Sequence, residues 1–147
     1  MAYVALLLAA CVYIFFREPN TYFAFLIKKI CNIQLHNFAP NYMSDIFIFL
    51  VFSLPSGLWV MANTIFGYSF GQKRGIFIYL PITLVLTIEF FQLVGITDGT
   101  FDYLDVLVSV LGFYVAKKWG TSVSNPPKRW YFTYIASLLA IPFSDVM

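Results

Sequence analysis

The chain has 147 residues, of which 61% are hydrophobic, 20% aromatic and only 11% charged, and its formal net charge is +2. Because a soluble domain carries about 25% charged residues, nine basic and seven acidic side chains are too few to cover a soluble core that holds 17 Phe and 10 Tyr. This composition excludes an ordinary soluble domain and predicts a single membrane domain over 1–147.

Apolar runs divide the chain into five predicted transmembrane helices, so we expect an all-α integral membrane protein that folds as a compact bundle. The first and last runs are shorter than the roughly 20 residues that a perpendicular span needs. The first is therefore expected in thinned bilayer or against neighbouring helices, and the last at a tilt or only partway across. Pro55 predicts a kink in the second run. The predicted helices cover about 2–16, 46–66, 76–96, 101–119 and 130–143.

One further helix is predicted over about 21–35, lying in the plane of the membrane interface. Its apolar residues fall on one face at helical spacing, and Lys28 lies on the opposite face. An interfacial helix directs such a lysine toward lipid headgroups. A helix packed on the end of the bundle, outside the membrane, is the alternative.

Basic residues set the predicted orientation. If the N-terminus is cytoplasmic, the inner loops carry six Lys and Arg against three outside, as the positive-inside bias requires. These clusters are too sparse for a nucleic-acid partner and fit anionic lipid at the inner surface. The six inner residues are Lys73, Arg74, Lys117, Lys118, Lys128 and Arg129.

Carboxylates interrupt the apolar sequence of the third and fourth predicted helices. A carboxylate at membrane depth is costly, so it normally faces inward and is functional. Because the connection between these helices is short, we expect their polar faces to meet in a pocket that opens to the outside. On the fourth helix the face continues through Gly112 and Ala116 as a stripe of small residues suited to helix packing. The candidate ligand-binding residues are Glu89, Gln92, Asp102, Asp105, Ser109 and Asp45.

Several roles for this acidic pocket stay open from the residues alone. It binds a lipid headgroup, or it catalyses a reaction on a lipid-linked substrate with Glu89 as general acid and Asp105 as base, or it couples transport to protons or cations. A purely structural role, in which the side chains hydrogen-bond to one another and join the two helices, is the remaining alternative.

Metal and cofactor chemistry receives little support from the sequence. The chain has one histidine and no Cys or His pair at ligand spacing, which argues against zinc. No phosphate-binding loop, dinucleotide fingerprint or nucleophile elbow is present, so no cofactor is expected. An oxygen-rich site for a hard divalent cation, built from Asp45, Glu89, Asp102 and Asp105, is the open alternative.

The acidic residues also carry a resemblance to a known family. The pattern Glu89-x-x-Gln92, then a Gly-containing acidic turn, then Asp102-x-x-Asp105-x-x-x-Ser109-x-x-Gly112 resembles the signature of the VanZ-like family of small bacterial membrane proteins. The resemblance extends over about 40–118. It differs at two positions, because the turn lacks the family's usual Arg and Ser109 stands in place of an Asn.

The resemblance implies a multi-pass protein of the bacterial inner or plasma membrane. The family's namesake is associated with low-level resistance to the glycopeptide teicoplanin. We therefore expect a cell-envelope protein, non-enzymatic, whose pocket binds a membrane lipid or a lipid-linked component of the cell wall.

Overall fold

The computed structural model describes residues 1–16, 47, 51–70, 75–97, 100–121, 123 and 126–140. Every regular element in these ranges is an α-helix, so the predicted all-α class is confirmed for them. The predicted interfacial helix at 21–35 and the candidate site residue Asp45 lie outside these ranges. The helices are α1 (Ala2–Phe16), α2 (Leu54–Ser69), α3 (Ile76–Leu93), α4 (Tyr103–Trp119) and α5 (Lys128–Ala140).

The central element is α2, which contacts all four other helices. Ten of its 16 residues are buried, against five of 18 in α3 and three of 17 in α4. The sequence instead points to α3 and α4, because the charged residues within the apolar runs lie on those two helices. Burial here follows small and uncharged residues, because these allow several helices to approach α2 at once.

A turn at Ser53 separates α2 from the helical residues that precede it. Pro55 has no N–H to donate to the carbonyl of Val51, and its ring crowds that carbonyl, so the helix cannot continue unbroken. The hydroxyl of Ser56 donates to the carbonyl of Ser53 at 2.7 Å and satisfies one of the carbonyls at the break. The kink expected from Pro55 is therefore a break just before it.

The C-terminus of α3 closes with a glycine. Gly95 has a φ of +70°, which costs a glycine little. Its N–H donates to the carbonyl of Gln92 at 3.1 Å, and the N–H of Ile96 donates to the carbonyl of Phe91 at 2.8 Å. These two bonds form a Schellman motif, so α3 ends at Leu93 rather than at the predicted residue 96.

The closest helix contact joins α2 and α4. A Cβ on Gly112 would overlap the backbone carbonyl of Gly57, and a Cβ on Gly57 would overlap Val108. Nearer the other end of α4, Gly120 lies against the ring of Tyr68, so the two helices run in the same direction. The small-residue stripe of α4 thus packs on α2 along its length, whereas the sequence predicts that this face meets α3.

Aromatic rings fill the end of the bundle where α2 ends and α3 and α5 begin. Phe70 stacks on Tyr131 with ring centroids 4.1 Å apart and meets Tyr134 edge to face at 5.3 Å. We call this region the aromatic end; it comprises Phe66, Phe70, Phe77, Trp130, Tyr131 and Tyr134. Such ring pairs contribute about 0.5–1.5 kcal/mol each beyond their area burial.

A hydroxyl at the aromatic end compensates for a proline in α3. Pro81 cannot donate to the carbonyl of Phe77, four residues earlier in the same helix. The buried hydroxyl of Tyr134, on α5, donates to that carbonyl at 2.7 Å. A neighbouring helix therefore supplies the hydrogen bond that α3 cannot make internally.

Among the helices that the structure describes, α3 alone has both the length and the apolar composition to cross a membrane. The first helix is apolar over Ala2–Val12 but shorter. The bundle of five transmembrane helices therefore stays a prediction, while its helical character is observed.

Candidate ligand site at the acidic end

Glu89 lies about one turn before the end of α3 and is 7% exposed. Its Oε2 accepts a hydrogen bond from the backbone N–H of Asp102, 3.2 Å away, at the start of α4. The two helices thus meet through a side chain on one and a main-chain donor on the other. The sequence predicts their meeting, but not that the backbone of α4 would be the partner of Glu89.

Asp102 is the N-cap of α4. Its Oδ1 accepts from the N–H of Leu104 at 2.8 Å, and its backbone is extended, as an N-cap residue requires. In a capping box the residue three positions on returns a side chain to the N-cap N–H. Asp105 occupies that position here, but Glu89 of the neighbouring helix accepts from the N–H.

This N-cap role was not predicted for Asp102, and its role in ligand binding stays a prediction. The signal was present in the sequence, because an Asp directly before an apolar helical run is typical of a helix start. The N-terminus of a helix also favours nearby negative charge. We call Glu89, Gln92, Asp102 and Asp105 the acidic end.

Below this end lies a hydroxyl that has no hydrogen-bond partner in the part of the chain that the structure describes. Ser109 is fully buried and lies one turn beyond Asp105 along α4. The Oδ1 of Asp105 is also buried. A second such hydroxyl belongs to Thr64 on α2. An unsatisfied buried polar group costs about 1–3 kcal/mol, so a ligand group that reached Ser109 would recover part of that cost.

The other predicted site residues are placed differently. Gln92 is partly exposed, beside the exposed rings of Phe90 and Phe91. Asp45 lies outside the described ranges. Within those ranges no three His, Cys, Asp or Glu residues are arranged to hold a metal ion, so the alternative of a divalent cation site is incomplete without Asp45.

A buried polar network between α2 and α5 was not anticipated from the sequence. The side-chain amide of Asn63 donates to the carbonyl of Trp59 at 3.0 Å, and the indole of Trp59 donates to the carbonyl of Ser137 at 3.1 Å. The hydroxyl of Ser137 donates to the side-chain oxygen of Asn63. An amide in the middle of an apolar run was the available signal, since such groups join membrane helices.

The three carboxyl groups of the acidic end supply mainly hydrogen-bond acceptors. Ionised carboxylates have no donor and offer about four acceptor positions each. One oxygen of Glu89 and one of Asp102 accept from the backbone of α4, and both groups can accept further bonds. The site therefore suits ligand groups that donate, such as hydroxyls or an ammonium.

Comparisons with known proteins do not identify a relative of this chain. Neither the known family models nor the curated proteins nor the solved structures include a match to this sequence.

Proposed function

We propose that this chain is a helical membrane protein of the cell envelope whose acidic end binds the headgroup of a lipid or of a lipid-linked wall component. The observation that carries this proposal is Glu89: a buried carboxylate in an apolar helix of spanning length, hydrogen-bonded to the start of the next helix.

The exposed surface of the helices supports placement in a membrane. Only 28% of α3 is buried, whereas the core helix of a soluble protein is mostly buried. Exposed faces elsewhere are also apolar and follow helical spacing, which is unfavourable in water but not in acyl chains. These residues are Leu107, Leu111 and Tyr114 on α4, and Phe132, Ile135 and Leu139 on α5.

Binding is favoured over catalysis. Glu89, the candidate general acid, already accepts from the main-chain N–H at the start of α4, and that structural role is compatible with binding. The expected ligand carries hydroxyl or ammonium donors, as sugars and ethanolamine headgroups do, because the described part of the acidic end supplies acceptors.

The VanZ-like resemblance extends the proposal to a bacterial inner or plasma membrane with a cytoplasmic N-terminus. Its support is the match at Glu89, Gln92, Asp105 and Gly112. A contribution to glycopeptide resistance is part of the same proposal, and its test is the teicoplanin susceptibility of cells with and without the gene.

The binding proposal is tested with Glu89→Gln. Glutamine keeps an oxygen that can accept from Asp102, but its amide nitrogen replaces a carboxyl oxygen that can accept from a headgroup donor. We expect the variant to fold and to lose the lipid that co-purifies with the wild type, as identified by mass. Glu89→Asp is the matched variant that keeps the carboxyl group. Equal lipid content in Glu89→Gln and the wild type would exclude the acidic end as the binding site.

Membrane placement has its own test. Single cysteines at the exposed positions Thr97 and Thr121 are introduced after Cys11 and Cys31 are changed to Ser. We expect an impermeant maleimide to label Thr97→Cys in intact cells and Thr121→Cys only after the membrane is opened. The reverse pattern, or release of the chain into the soluble fraction, contradicts the proposed placement.

A further inference from the structure

A cavity of about 290 Å³ lies at the aromatic end, where α2 and α4 end and α1 and α5 begin. Its wall contains four aromatic side chains and the hydroxyls of Ser69 and Thr121. Two of the aromatic residues, Trp119 and Trp130, stand at the ends of α4 and α5. The acidic end lies roughly 25 Å away, because the 17 residues of α4 separate the two.

Each of these tryptophans directly follows a pair of cations. Lys117 and Lys118 precede Trp119, and the sequence repeats the pattern at 128–130 as Lys-Arg-Trp. All four cations are exposed. Residues 117–129 contain no Asp or Glu, and no carboxylate elsewhere in the described ranges pairs with these cations.

The second cation pair is unfavourably placed with respect to its own helix. Lys128 and Arg129 open α5, and the first turn of a helix disfavours positive charge. Lys117 and Lys118 lie in the last turn of α4, where positive charge is favoured. The first turn of α5 therefore gains from an external anion, while the last turn of α4 does not need one.

We propose that this cavity binds the headgroup of an anionic phospholipid. The phosphodiester lies between the two cation pairs, and Trp119 and Trp130 contact the glycerol region, where amphipathic rings are favoured. The site is distinct from the acidic end and takes an anionic ligand, whereas the acidic end takes hydrogen-bond donors. It requires the membrane placement proposed above, in the orientation that puts these cations on the cytoplasmic side.

A phospholipid fits this region better than a soluble anion or a nucleic acid. The cations directly precede, in the sequence, the two tryptophans that line the cavity, so they suit a single phosphate attached to an apolar body. Free phosphate would gain nothing from the rings, and a polynucleotide needs a row of phosphate contacts. Inorganic phosphate is therefore the control ligand.

The test measures binding of phosphatidylglycerol to the purified full-length chain in detergent, with phosphatidylcholine of the same acyl chains as reference. We expect stabilisation by phosphatidylglycerol and none by phosphatidylcholine or inorganic phosphate. In Lys117→Gln/Lys118→Gln we expect phosphatidylglycerol to bind roughly thirtyfold more weakly. Lys28→Gln/Lys29→Gln removes the same charge from the predicted outer segment and should bind as the wild type does.

A second variant separates the cavity from the net charge. Thr121 is exposed and lines the cavity, so Thr121→Trp fills it without removing a cation or a core contact. We expect phosphatidylglycerol binding to be lost in this variant. Unchanged binding in Thr121→Trp, or an equal loss in Lys28→Gln/Lys29→Gln, overturns the assignment.

The two proposed sites fail independently. Glu89→Gln should retain phosphatidylglycerol while it loses the ligand of the acidic end, and Lys117→Gln/Lys118→Gln should do the opposite. If the chain fractionates with membranes but phosphatidylglycerol binds no better than phosphatidylcholine, the lipid site is wrong and the membrane placement stands. If the chain is not in membranes at all, both proposals are wrong.

Discussion

At both the acidic end and the aromatic end a backbone group needs a partner from another helix, and the two ends supply it with different chemistry. At the acidic end, the carboxylate of Glu89 accepts from the N-cap N–H of α4. At the aromatic end, the hydroxyl of Tyr134 donates to the carbonyl that Pro81 leaves without a donor in α3. In both places a side chain from a neighbouring helix satisfies a backbone group that its own helix cannot.

The two ends differ in how tightly the neighbouring side chains pack around the hydrogen bond. Tyr134 is enclosed by the rings of Phe70 and Phe77, so its hydrogen bond forms within a packed cluster. Glu89 is flanked by the exposed side chain of Phe90, and its bond joins two helices that contact each other only sparsely. The aromatic end is therefore a packing centre, while at the acidic end a single hydrogen bond joins two helices that otherwise have few contacts.

The largest effect is expected between the two ends, at the contact of Gly57 with Gly112. A methyl group at Gly112 meets backbone atoms that cannot rotate away. Gly112→Ala should lower the free energy of unfolding in detergent by about 3 kcal/mol and weaken both ends together. Gly75→Ala, where nothing lies within 4 Å of the new Cβ, is the control. Equal stability of the two variants would mean that α2 and α4 are not in backbone contact.

The next effect separates the structural part of the acidic end from its charge. Leucine at Glu89 leaves the N–H of Asp102 without its acceptor, whereas glutamine keeps one. We expect Glu89→Leu to be less stable than Glu89→Gln by about 2 kcal/mol, measured by denaturant unfolding. If the two variants unfold together, Glu89 does not join α3 to α4.

At the aromatic end, the partner of the proline carbonyl can be removed without changing volume. Tyr134→Phe should cost about 1.5 kcal/mol, because the carbonyl of Phe77 then lacks a donor. In a Pro81→Ala background the new N–H can bond to that carbonyl, so the cost of Tyr134→Phe should fall by about 1 kcal/mol. A double-mutant cycle measures this difference, and additive effects would contradict the link.

The smallest effect belongs to the cap of α4. Asp102→Ala removes the acceptor for the N–H of Leu104 and should cost about 1 kcal/mol. Asp102→Ser keeps a capping oxygen and should restore most of that loss in thermal unfolding. A serine variant as unstable as the alanine variant would indicate that the charge of Asp102, not its cap, stabilises this end.

The sequence predicts the helices better than their partners. The predicted range 2–16 is helical throughout, because its composition is continuously apolar. Gly57 illustrates the opposite case: the sequence does not single it out, yet it lies at the closest approach of two helices. A glycine in an apolar run has no visible partner until the second helix is placed.

The candidate site was likewise predicted only in part. Glu89 was identified because a carboxylate in apolar sequence is costly anywhere, so its burial beside another helix could be anticipated. Its bond to the N–H of Asp102 could not, because a backbone donor is identical at every position of the chain. The network of Asn63 and Ser137 was missed because neither residue is charged.

The sequence by itself determined that the described ranges are helical, that acidic and basic residues fall in different segments of the chain, and that acidic residues interrupt α3 and α4. These are properties of composition and spacing, which act locally. Only the tertiary structure decided that α2 is the centre, that the stripe of α4 packs on it, and that Tyr134 and Glu89 complete the backbone of other helices. Such choices depend on which surfaces fit at close range, and that fit exists only between elements already folded.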